Sequence, residues 1–209
     1  MVGIAFAHGL ALAVAVSTFG AISGGHFNPA VTFALAVARK HPWERVPTYW
    51  AAQLGGAVLA GLALRLIFDN VPAAMLASKL GTPQVSPSVP LLTAILVVAL
   101  LTIFLVWAVF GTAVSPNAPK IAGFGIGLAV TADILMGGPL TGASMNPARW
   151  FGPAVAAGHF VDAAVHVMGP LLGAAIAGAS YLYIFGHPAE RKEIVPPVTP
   201  RPSDRTERL

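Results

Sequence analysis

Apolar residues run along this chain in long blocks separated by short polar connectors. Blocks near 1–22, 47–68, 90–114, 121–136 and 163–185 each approach the roughly 20 residues a membrane-spanning helix needs. They predict five spans. The first block has no basic stretch ahead of it and runs straight into a polar motif, so it reads as a span and not as a signal peptide. Two shorter apolar runs, "AVTFALAVA" after Asn28-Pro29 and "ARWFGPAVAA" after Asn146-Pro147, have about half the spanning length.

Each short run opens on the same tripeptide: Asn28-Pro29-Ala30 and, 118 positions on, Asn146-Pro147-Ala148. Asn is a favoured N-cap, and Pro suits the first helical position, where its missing N–H would have been unpaired anyway. Both runs are therefore predicted to be re-entrant half-helices. Non-helical backbone at membrane depth is tolerated only where it is buried in protein or lines a watery cavity, so the loops before them imply a polar lumen. With each Asn oxygen capping its own helix, the NH2 groups are left as free donors toward that lumen. The half-helix dipoles add roughly half a positive charge at each N-terminus, which repels cations. A pore for neutral solutes follows.

The duplicated tripeptide divides the chain into a first repeat at 1–68, a connector at 69–89, a second repeat at 90–186 and a disordered Pro-rich cytoplasmic tail at 187–209. The second repeat has two spans ahead of its tripeptide and the first has one. A duplication should place two before each, so another helix upstream of Met1 is expected. Small residues at four-residue spacing, as in Ala52, Gly56 and Ala60, Gly123 and Gly127, and Gly169 and Gly173, allow close helix approach but specify no function.

Composition agrees with a membrane protein: 56% hydrophobic and 10% charged residues with mean hydropathy +0.76, far from soluble norms. The net charge of +4 reflects topology and not nucleic-acid binding, since no basic stripe interleaves with aromatics. Threading five spans puts Arg39, Lys40, Arg45, Lys120 and the tail's basic residues on one side. That side is cytoplasmic by the positive-inside rule, so the carboxyl terminus is inside. The absence of cysteine excludes disulfide and thiol chemistry. No metal site is expected, because the histidines lack ligand spacing.

The stretches "ISGGHFNPAVT", "GPLTGASMNPARWFGPAV" and "GPLLGAAIAG" resemble the aquaporin, or major intrinsic protein, family over nearly the whole chain except the tail. The resemblance implies an all-α membrane protein: an aquaporin-like inverted-repeat helix bundle, here with five spans and two re-entrant half-helices. It also implies a homotetramer with one pore per protomer, an inner plasma-membrane location, no cofactor, and a passive channel for water with a modest leak for ammonia, urea or glycerol. The deficit in the first repeat matches the family's first span.

Carried over from the family, the narrow filter falls on His8, Ile134, Ala143 and Arg149, a set similar to that of some tonoplast intrinsic proteins. Arg149 brings fixed donors and a permanent charge. His26 resembles the family's cytoplasmic-side pore histidine. Asp133 is expected near a helix mouth, paired or facing water. Two departures stand out: Val98 occupies the place of a buried Glu that fixes the second re-entrant loop, and His166-Val167 replace two aromatics. Trp150 decides nothing about solute, and Ala154 favours water. The competing readings are a non-conducting fragment that lacks one pore wall and, more remotely, a secondary transporter, for which no coupling carboxylate cluster is present. No enzyme constellation is found.

Overall fold

The computed structural model describes residues 1–68 and 78–185; the tail and part of the connector lie outside the described residues. Seven α-helices appear there: α1 (Val2–Ser23), α2 (Pro29–Val37), α3 (Val46–Phe68), α4 (Leu91–Val109), α5 (Phe124–Thr141), α6 (Pro147–Ala157) and α7 (Ala163–Ile184). A π-helical turn, Phe110–Val114, extends α4. Five helical segments are long and apolar enough to cross a bilayer: Val2–Ser23, Trp43–Phe68, Leu91–Val114, Phe124–Thr141 and Ala163–Tyr181. The helices α2 and α6, of 9 and 11 residues, are too short to span.

The two halves repeat each other in backbone detail. Helices α1 and α5 end at Gly24 and Gly142, both left-handed, at φ 80 and 73, with amides bonded to Gly20 and Gly138. Glycine adopts that conformation without the steric cost of a side chain. The next left-handed positions are Gly25 and Ala143, then Phe27 and Met145, so the loops turn alike before each tripeptide.

Small residues set the packing. Helices α1 and α5 cross at Gly9 and Gly127, where a Cβ on either would collide with the other's carbonyl oxygen. Likewise Gly61 of α3 faces the Gly152 carbonyl of α6, and Gly178 of α7 faces the Ala34 carbonyl of α2, 2.7 Å from where its Cβ would stand. Each half-helix is thus held by the long helix that follows the other half-helix. Val98 is fully buried, and a Cβ at Gly169 would lie 3.0 Å from its own; the departure noted in the sequence is an apolar helix contact.

Helix α5 departs from expectation. It continues past Gly137, Gly138 and Pro139 to Thr141, so Asp133 lies inside the helix and 3% exposed, with Oδ2 unpartnered, and not at a mouth.

One flank is open. In the second half α4 packs against both α5 and α7. Among the described residues no helix stands in that relation to α1 and α3, and only Val46 and Gly61 of α3 are buried.

Candidate functional site

Both half-helices begin as their sequences predict. Asn28 is extended (φ −150) and its Oδ1 accepts the Ala30 amide at 2.8 Å. Asn146 (φ −147) accepts the Ala148 and Arg149 amides at 3.0 and 3.3 Å. Pro29 and Pro147 follow at the first helical position. Such a cap is worth about 1 kcal/mol to a helix.

The side-chain amides are not free, as they were expected to be. Asn28 Nδ2 donates to the Met145 carbonyl at 2.9 Å, and Asn146 Nδ2 donates to the Phe27 carbonyl at 3.0 Å. Each re-entrant loop thus satisfies the carbonyl just ahead of the other's Asn. The left-handed turns at Phe27 and Met145 leave these carbonyls outside any helix, and at Met145, which is 2% exposed, a carbonyl without a partner is costly. One of the two N–H groups on each amide is spent this way. The other remains for the cavity that both side chains line.

That cavity, of about 750 Å³, brings together His8, His26, Asn28, Asn146 and Arg149 with apolar residues that include Leu12, Val16, Leu105 and Ile126. Ile134 and Ala143 also line it, so all four expected filter residues face one space. Ala30 and Ala148 are buried in the half-helix starts.

Arg149 is held at two points. Its Nη1 donates to the Gly81 carbonyl at 2.9 Å, and its Nη2 lies 3.3 Å from His8 Nε2. His8 Nδ1 is 2.8 Å from the Ile4 carbonyl. A carbonyl only accepts, so the ring carries its proton on Nδ1 and offers Nε2 as acceptor to the guanidinium. His8 is therefore an acceptor at this end, not a donor.

Toward the other end, His26 Nδ1 sits 3.1 Å from Thr32 Oγ1. That hydroxyl donates to the Asn28 carbonyl at 3.2 Å and accepts from Gln53 Nε2 at 2.9 Å. Its proton is committed, so His26 donates from Nδ1. The rings of His41 and Tyr49 pack around His26 at centroid distances of 5.0 and 4.9 Å. The sequence reading missed both; two aromatic residues fifteen or more positions away carry no mark that they enclose it. Lys40 and the π-helical turn border the cavity's end here.

The fold and its sequence both have known counterparts. The structure is similar to that of the aquaglyceroporin from Plasmodium falciparum, with a TM-score of 0.72 over 88% of this chain and 82% of that one, at 20% identity. In sequence it is 38% identical over 183 residues to "Probable aquaporin NIP4-2" of Arabidopsis thaliana, covering 87% of this chain and 62% of the relative. It is 42% identical over 190 residues to "Aquaporin TIP2-1" of the same plant, covering 88% and 72%. The chain spans about three fifths of the length of several such relatives. Residues 1–181 match the family model described as Major intrinsic protein, and with that match covering most of its length the chain belongs to this family.

Proposed function

We propose that the protein is a passive transmembrane channel for water, with a modest leak for small neutral solutes such as ammonia, urea or glycerol. The observation that carries the reading is the single cavity on which both capped half-helices and Arg149 converge. Two helix N-termini and a guanidinium oppose cations, and the remaining amide donors hold a water oxygen. Ile134 and Ala143 make the Arg149 end less polar and small-sided, which favours the solute leak. The Arg149 end is assigned to the outside and the Lys40 end to the cytoplasm, with the carboxyl terminus inside a plasma membrane and four copies assembled around separate pores.

Stopped-flow light scattering of proteoliposomes is the test. Water flux above lipid background with a low activation energy is expected, and Arg149→Val should admit cations that the wild-type chain excludes. Flux equal to empty vesicles counts against conduction by this chain.

The open flank favours a second reading, in which conduction requires a further apolar helix. A space of about 710 Å³ beside Ala52 and Gly56 also borders Asn146 and Arg149, so the lumen's polar groups are reached from the side. Polar groups facing lipid are costly. If the chain alone gives background flux and fusion of an apolar helix ahead of Met1 restores it, this reading holds.

A further inference from the structure

A polar segment, Ser78 to Pro90, crosses the Arg149 end and is fastened at three places. Val85 N donates to Asp162 Oδ2 at 2.8 Å, Ser86 N donates to the Leu140 carbonyl at 2.9 Å, and Gly81 O accepts from Arg149 at 2.9 Å. Thr82 is 5% exposed, and Gly142 abuts Pro83 and Gln84 so closely that a Cβ there would lie within 2.8 and 2.9 Å of them. The segment is a strap seated on the second half.

Asp162 is the informative member. It is the N-cap of α7, at φ 60, and its carbonyl accepts the Val165 and His166 amides at 3.0 and 3.2 Å. Asp at an N-cap ordinarily turns its carboxylate onto the first amides of its own helix. Here the side chain caps none of them and reaches instead to a backbone amide 77 positions away. A carboxylate makes stronger hydrogen bonds than a neutral acceptor, and the strap is held by one at Val85.

We propose that Asp162 is a positioning residue for the filter. Through Val85 it fixes the strap, and the strap's Gly81 carbonyl in turn holds the Arg149 guanidinium to one side of the lumen. Without that carbonyl, Arg149 keeps only His8 as a partner and can swing across the opening. The role in solute selection rests on the channel reading above; the hold on Arg149 does not.

The test compares the full chain with Asp162→Gly and Asp162→Asn. Glycine accepts φ near +60 without strain, so the first variant removes the acceptor but spares the backbone. Asparagine tolerates the same conformation and keeps a carbonyl oxygen. In detergent, Arg149 modification by phenylglyoxal, read by mass spectrometry, is expected to quicken about 10-fold in Asp162→Gly and to stay within about 3-fold in Asp162→Asn, as the loss of one charged hydrogen bond implies. Hydrogen exchange of the strap should change in parallel while α1 and α5 stay protected. In proteoliposomes, the ratio of urea to water permeability should fall in Asp162→Gly alone, because a guanidinium lying across the opening excludes the larger solute first. Arg149 reactivity that is unchanged in Asp162→Gly, or equally raised in both variants, overturns the proposal. Wild-type vesicles without water flux would sink the channel reading, with the labelling still deciding whether Asp162 holds Arg149.

Discussion

Asn28 performs two tasks with one side chain: its oxygen caps α2 and its nitrogen satisfies Met145 in the opposite loop. The tasks can be separated. Asn28→Asp keeps the cap but loses the donor, leaving a carboxylate against a carbonyl; Asn28→Ala loses both. For Asn28→Ala, about 1 kcal/mol for the cap plus 1–3 kcal/mol for the buried carbonyl is expected. Thermal unfolding in detergent should show Asn28→Asp losing stability as well, although Asp caps a helix as well as Asn does. A second prediction concerns His41. Burial, and then the nearby Arg45, hold its imidazole below the ordinary 6.5. The folded state then binds fewer protons than the unfolded state, so stability declines as pH falls below about 6.5. An unfolding midpoint followed from pH 7.5 to 5 should fall, and His41→Gln should flatten the slope.

At the scale of elements, the glycine crossings replace the hydrophobic drive that lipid cannot supply between helices. A side chain at Gly127 meets Gly9 O and Ala13 of α1. Gly127→Val should therefore force α1 and α5 apart, at a cost of about 1–3 kcal/mol or more, seen as early loss of helicity on heating. Gly3→Val, where nothing lies within 4 Å, is the matched control and should be neutral. The half-helices show how much of an element is local. Capping by Asn, initiation by Pro and the short apolar run were all readable in ten residues. The continuation of α5 over Pro139 was not, because neighbouring helices and the left-handed stop at Gly142 decide where that helix ends.

At the scale of the whole molecule, the internal repeat makes the open flank measurable. Gly61 and Gly178 play equivalent parts 117 positions apart, which places Gly56 opposite Gly173 and Ala52 opposite Gly169. Gly173 receives the backbone of α4, where a Cβ would collide with the Ala99 carbonyl; at Gly56 nothing lies within 4 Å. Gly173→Ile should thus strongly destabilise the chain, whereas Gly56→Ile should leave it unchanged. Once a further apolar helix is supplied by fusion, Gly56→Ile should become destabilising too. Equal tolerance at both positions, by thermal unfolding with and without the fusion, would remove the argument that this face is built to receive a helix.

The sequence by itself determined the five apolar spans, the two capped half-helices, the duplication and the family. These depend on composition and on contacts a few residues long, which a linear pattern records. The family resemblance also named four residues, His8, Ile134, Ala143 and Arg149, that line one cavity. What only the tertiary structure decided is where each polar group finds its partner: Asn28 at Met145, Asn146 at Phe27, Arg149 at Gly81 and His8, and Asp162 at Val85. A donor is visible in a sequence, but its acceptor here is a backbone carbonyl or amide at distant positions, common to every residue. Only packing of the two halves selects which one is near.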